Sequence, residues 1–147
     1  MEDQRNKLRE MMQSDSIPNT EKWDTLWRQS ITPWDRGVPS PALVELLVDK
    51  KFSLFPDSTG KKTQVLVPGC GRGYDVVLFA GLTGPDQRVD KAVGLDISQK
   101  GIEEAKKRHA NSPGNIQFLV GDFFSKSEDW AKAGPYDVVY DYTVMSL

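Results

Sequence analysis

At 147 residues the chain has room for one domain, at roughly 150 residues per domain. Its 38% hydrophobic, 27% charged and 10% aromatic residues are the make-up of a globular protein and exclude the disordered, collagen-like and coiled-coil classes. Nineteen Lys and Arg against 21 Asp and Glu give a net charge of -2, which leaves no basic excess to draw nucleic acid.

The first twenty residues are polar, with Leu8, Met11 and Met12 as a weak apolar stripe, and read as a loosely held helix or arm. The opening MEDQRNKLRE has no apolar core segment and is not a secretory signal. Thr20 is placed to cap a short helix on which Trp23, Leu26 and Trp27 share a face. Thr32-Pro33-Trp34-Asp35-Arg36-Gly37 is a turn-rich loop. Ser40-Pro41 reads as an N-cap followed by proline at the first helical position, and Leu43, Leu46, Leu47 and Val48 form the apolar face of that helix. Pro56 to Gly60 ends it.

From Thr63 the pattern changes. Val65-Leu66-Val67 is an apolar run closed by Pro68 and three glycines, and a helix over Val76, Val77, Phe79, Ala80 and Leu82 follows, up to Gly84-Pro85. Ala92 to Leu95 is a second strand, Ser98 to about Asn111 a helix capped by Ser98, Ile116 to Val120 a third strand and Asp137 to Tyr142 a fourth. Apolar strands alternating with helices predict a mostly parallel sheet with helices on both faces, the doubly wound, Rossmann-like α/β class. The predicted layout is an N-terminal helical arm or lid over residues 1–40 and a Rossmann-like domain over 41–147. No apolar run approaches the ~20 residues that span a bilayer. A single cysteine, Cys70, excludes an internal disulfide framework, and a single histidine, His109, excludes a multi-histidine metal site. The expected setting is the reducing cytoplasm, with no metal, membrane or nucleic-acid partner.

The chemistry gathers at the predicted strand ends. Gly69, Gly71 and Gly73 form a G-x-G-x-G loop between the first strand and its helix, where the backbone can approach a ligand closely; a tight strand-to-helix turn is the plainer alternative. Asp96 ends the second strand 23 positions after Gly73, near the ~20 expected of an acid that holds a ribose diol, and it could equally cap the next helix. Asp122 and Phe123 follow the third strand directly, an acid beside an aromatic that suits an adenine, or a simple loop turn. Ligands bind along this carboxyl edge in open α/β sheets. The dinucleotide fingerprint G-x-G-x-x-G fails here because position 74 is Tyr, and Asp75 in the first helical turn would repel a phosphate. An acid there suits a cationic, phosphate-free ligand, which favours S-adenosylmethionine over NAD. Ring faces attract cations, and Trp23, Trp27 and Trp34 cluster ahead of the domain while Tyr140 and Tyr142 lie on the fourth strand. Cys70 has no evident base partner and reads as packing, His109 as a solvated helix position, and Arg72 as either a surface residue or a guide for an anion.

Several motifs in order resemble the thiopurine S-methyltransferase-like family, nearest its plant and fungal thiol and halide methyltransferase branch. They are Trp23-x-x-x-Trp27, Thr32-Pro33-Trp34-Asp35 with Gly37-x-Pro39-x-Pro41, Val65 to Gly71, Gly94-Leu95-Asp96-Ile97-Ser98, Gly121-Asp122-Phe123-Phe124 and Tyr136-Asp137-x-x-Tyr140-Asp141. The resemblance runs from about residue 20 to residue 143 and implies a class I methyltransferase fold using S-adenosylmethionine. It implies that Trp23, Trp27 and Trp34 close over the cofactor, that Gly69, Gly71 and Gly73 contact its methionine part, that Asp96 holds the ribose, and that Asp122 and Phe123 frame the adenine. Tyr140 would sit near the reacting methyl, touching both cofactor and acceptor, with Asp141 beside it as the other catalytic candidate. Acceptors in the family are small soft nucleophiles: thiols, thiopurines, thiocyanate or halide. The resemblance further implies a longer chain with a larger sheet, so this sequence reads as truncated after Leu147, with a fourth strand left at an edge that invites self-association of an otherwise monomeric fold. The alternative is a non-catalytic fragment that binds S-adenosylmethionine or regulates a partner chain by pairing with it.

Overall fold

A computed structural model of the chain describes residues 2–48, 63–84, 87–112, 114–125 and 129–142. The helix break expected at Pro56 to Gly60, the Pro85 end of the fourth helix's stretch and everything after Tyr142 lie outside the described residues.

Three helices precede the sheet: α1 (Glu2–Gln13), α2 (Asn19–Arg28) and α3 (Pro41–Val48). The first buries no residue, as its polar sequence dictates, and touches the rest through Gln4, which donates to the Ser30 carbonyl at 3.4 Å, and through Lys22, whose ammonium donates to the Met12 carbonyl at 3.0 Å. The second buries Leu26 and Trp27. Thr20 does not cap it: α2 already starts at Asn19, preceded by Pro18, and no side chain caps it. In α3, Leu43 and Leu47 face the core while Leu46 turns to solvent, so the apolar stripe is narrower than the sequence suggested.

The sheet comprises β1 (Gln64–Pro68), β4 (Lys91–Asp96), β5 (Ile116–Val120) and β6 (Val138–Val139), in the order β5-β4-β1-β6, every pair parallel. Leu66 lies opposite both Val93 and Val139, and Gly94 opposite Phe118. Side chains alternate between faces along each strand. Val65, Val67, Ala92 and Phe118 meet Leu43 and Leu47 of α3, Val76 and Phe79 of α4 (Tyr74–Ala80), and Ile102 and Ala105 of α5 (Gln99–Arg108). On the other face Leu66, Val93 and Leu95 are sealed by Leu119, Phe123, Trp130 and Tyr136, where the only described helix is the four-residue α6 (Asp129–Lys132). The result is the doubly wound α/β arrangement.

The fourth strand is shorter than its apolar run, because only Val65 and Leu66 offer it a partner register. Among the described residues it forms one edge of the sheet, and Val139 is 51% exposed. A two-stranded antiparallel ribbon, β2 (Thr83–Gly84) with β3 (Gln87–Arg88), occupies a stretch with no strand-like signal.

Candidate functional site

The four strands end on one side, where the glycine loop leaves β1. Gly69, Gly71 and Gly73 all take positive φ, at 61°, 51° and 78°. Gly73 is the most constrained, since a Cβ there would lie 2.5 Å from the Phe118 ring. A loop turned this way points backbone N–H groups inward, and one of them has a specific receiver. The Gly71 N–H donates to Asp96 Oδ2 at 2.9 Å, and the Ser98 N–H donates to Asp96 Oδ1 at 2.9 Å. Asp96 is only 8% exposed. Burial pushes its carboxyl up, the two amides oppose this, and the nearby Asp24 charge adds to the rise. The residue thus braces the loop and keeps acceptor capacity on both oxygens, since each carboxylate oxygen can take two donors.

Ser98 caps α5 as its sequence position suggested, accepting from the Gly101 N–H at 2.9 Å. A second cap comes from outside that helix. Asp24 Oδ1 accepts from the Ser98 hydroxyl at 2.7 Å and from the Lys100 N–H at 2.8 Å. Burial works against the Asp24 charge, but the Lys100 amide, the Ser98 hydroxyl and Arg28 outweigh it and hold the carboxyl below its usual range. A polar relay therefore runs from α2 to the glycine loop: Asp24, Ser98, Asp96, Gly71.

The tryptophans lie against this relay. Trp27 is 3% exposed, and a Cβ on Gly71 or Gly101 would meet its indole at 3.5 and 3.1 Å. Trp34 sits edge-on to both Trp27, at 6.0 Å, and Trp23, at 5.2 Å. The three rings are thus one cluster over the glycine loop, with Trp23 and Trp34 half-buried. Arg72 is neither a surface residue nor free to guide an anion. Its guanidinium pairs with Asp35, donates to Glu104 at 2.9 Å and lies 5.0 Å over the Trp27 ring.

The remaining candidates are more dispersed. Asp122 makes the loop turn, its Oδ1 accepting from the Phe124 N–H at 2.9 Å and its carbonyl from the Trp130 indole at 3.0 Å. Phe123 packs inward on Trp130 at 5.2 Å, leaving Phe124 as the outward ring, 67% exposed. Tyr140 rests edge-on to Phe79, beside Ser40 and Asp75, and burial pushes its phenol up. Asp141 is half-buried next to it. Asp75 accepts the Ser40 N–H at 2.7 Å, and burial raises its carboxyl. Ser40 is not seen to cap α3: its buried hydroxyl, beside the Tyr140 phenol, has no well-formed hydrogen bond among the described residues.

His109 also departs from its expected solvated position. It hydrogen-bonds the Arg72 carbonyl at 2.8 Å and stacks on Phe118. Cys70 packs against Gly94, and burial, with the Asp96 charge, pushes its thiol well up, in keeping with a packing role. Asp24 and Glu104 are residues the sequence did not single out, and the roles of Asp35 and His109 are ones it did not give. Their partners lie 32 to 76 positions away along the chain, so no local spacing signals them.

The residues fit S-adenosylmethionine better than a phosphate ligand. Around the glycine loop stand Asp96, Asp75, Asp35 and Glu104; Arg72 already serves two of these acids, and Lys100 also pairs with Glu104. No group of acids, cysteine and histidine able to hold a metal occurs among the described residues, nor any helix long and apolar enough to cross a membrane.

Comparison with known proteins agrees with this geometry. Residues 18–146 match the family described as thiopurine S-methyltransferase (TPMT). A probable thiol methyltransferase 2 from Arabidopsis thaliana is 37% identical over 123 residues, covering 82% of this chain and 46% of that protein. A thiocyanate methyltransferase 1 from Brassica oleracea is 36% identical, over 83% of this chain and 47% of its own length. A solved protein, described under the conversion of a disulfide bond into a thioacetal group during echinomycin biosynthesis, superposes with a TM-score of 0.62 at 27% identity, covering 85% of this chain and 46% of that one. A SAM-dependent methyltransferase from Anabaena variabilis shares the fold, with a TM-score of 0.58 at 20% identity over 86% and 49% of the two chains. The chain spans about half the length of the curated relatives it matches. Its sheet is that of the class I methyltransferases, whose cofactor is S-adenosylmethionine, and the chain belongs to the thiopurine S-methyltransferase family.

Proposed function

We propose that this chain is the cofactor-binding part of a methyltransferase that moves a methyl group from S-adenosylmethionine to a small soft nucleophile, a thiol or thiocyanate foremost. The observation that carries it is the convergence of the glycine loop, buried Asp96 and the tryptophan cluster at one sheet edge, in a chain whose curated relatives are named for thiols and thiocyanate.

Bound cofactor supplies the electrophilic methyl; the chain supplies position and exclusion of water. Asp96 would accept the ribose hydroxyls on the oxygens that already hold the Gly71 and Ser98 amides. Gly69, Gly71 and Gly73 leave the methionine part room to approach the backbone. Trp23, Trp27 and Trp34 would shed water and favour a cation near their faces. Asp122 and Phe123 are assigned to the adenine, and Tyr140 and Asp141 to the acceptor side. A thiolate or thiocyanate is already nucleophilic, so no general base is required of these residues.

A second reading, a non-catalytic unit that binds the cofactor and pairs with a partner chain, draws support from the exposed edge at β6. The two separate in one assay. The chain is incubated with methyl-labelled S-adenosylmethionine and hydrosulfide or thiocyanate. Labelled methanethiol or methyl thiocyanate supports transfer; cofactor binding with no labelled product favours the second reading.

A further inference from the structure

Arg72 stands in the middle of the glycine loop, yet every face of its guanidinium is turned toward another element. One nitrogen pairs with Asp35, in the loop after α2. Another donates to Glu104 Oε2, on α5, at 2.9 Å. The plane lies over Trp27, on α2, at 5.0 Å. Its own carbonyl is held by His109 at 2.8 Å, just past the end of α5. The planar fork of arginine can pair with two carboxylates while stacking on a ring, which a lysine ammonium cannot do.

The arrangement has a second strand of contacts. Asp24 caps α5 through Ser98 and Lys100, and Ser98 passes the connection to Asp96 and so to the Gly71 amide. Asp35 is itself shaped for its role, its Oδ1 accepting the Gly37 N–H at 2.9 Å, which leaves Oδ2 to face Arg72. The aromatic segment from α2 to Gly37 is therefore attached to the glycine loop at two points on either side of Trp27. One is the neutral-to-acidic relay ending at Gly71, the other the ion-paired Arg72 next to it.

We propose that Arg72 is a positioning residue for the cofactor site: through Asp35 and Trp27 it holds the tryptophan segment and the glycine loop as one body, and the hold sets cofactor affinity. This rests on the methyltransferase function proposed above, with Arg72 itself touching no substrate. The pair is ionic but mostly buried, with 21% and 12% of the two side chains exposed, so salt weakens the hold only in part. S-adenosylhomocysteine carries one ammonium and one carboxylate, both still present in every variant, so the difference in salt dependence between wild type and Arg72→Gln reports on the ion pair.

The test compares wild type with Arg72→Gln, Asp35→Asn, their double variant and Arg72→Lys. S-adenosylhomocysteine affinity is read by calorimetry at low and high salt, and hydrogen exchange is read over residues 19–37 without ligand. Thermal melts identify any variant that does not fold. The expected results are a loss of roughly three- to tenfold in either single variant, no further loss in the double, and an intermediate value for Arg72→Lys. Affinity should fall less with salt in Arg72→Gln than in wild type, with faster exchange over 19–37 in the variant. Unchanged exchange in both single variants would overturn the clamp. Faster exchange with unchanged affinity would overturn its role at the cofactor site, as would losses that simply add. A folded wild type that takes up no S-adenosylhomocysteine contradicts the function itself, an outcome distinct from either.

Discussion

Gly73 and Gly37 separate two reasons for a glycine at one residue's scale. Both hold a positive φ, 78° and 75°, but a Cβ at Gly73 meets the Phe118 ring at 2.5 Å whereas one at Gly37 meets nothing within 4 Å. Left-handed backbone costs a side chain about 1–2 kcal/mol. Gly37→Ala should lose about that much in a urea melt, and Gly73→Ala distinctly more, because the Phe118 ring must also move. Equal losses would mean the loop relaxes away from the ring. Asp24 offers a test by pH. Its folded carboxyl lies below its ordinary value of 3.8, so the stability it contributes is complete above that value and is lost as pH falls through the folded one. Asp24→Ala should cost about 1–2 kcal/mol near neutral pH, as a lost helix cap does. Melts at descending pH should show the gap to wild type closing only below 3.8.

Elements were legible where one local pattern sufficed. The apolar runs at Val65, Ala92 and Ile116 became parallel strands within a residue or two of their predicted bounds, and Ser98 became the cap its hydroxyl suggested. The carboxyl-edge placement of Gly71 and Asp96 followed from that alternation alone. Pairing across distance was hidden. Nothing in the local sequence tells that Asp24 caps a helix 76 positions later at Lys100, or that Arg72 gathers Asp35 and Glu104. His109 hides its role for the same reason: its neighbours in sequence are charged, but its neighbours in space are Phe118 and Tyr74. The two N-terminal helices should answer mutation very differently. Trp27→Ala removes a buried indole between α2, Gly71 and Gly101 and should cost about 3–5 kcal/mol. Leu8→Ala, on a helix that buries nothing, should stay within about 0.5 kcal/mol. Comparable losses in denaturant melts would show that α1 is docked more firmly than its contacts imply.

The whole molecule is a parallel sheet whose carboxyl edge is finished by a segment that precedes it in sequence. Helices α3, α4 and α5 cover one face; aromatic side chains of the 123–136 region cover most of the other. The tryptophan segment, Asp96 and the glycine loop are connected through two short polar routes. This edge is the proposed seat of S-adenosylmethionine. Calorimetric titration of the 147-residue chain with S-adenosylhomocysteine, alongside NADH and an Asp96→Ala variant, tests it most directly. Binding in the micromolar range is expected, lost in Asp96→Ala, with none of NADH. A folded, monodisperse chain that takes up no S-adenosylhomocysteine, or takes up NADH instead, would contradict it.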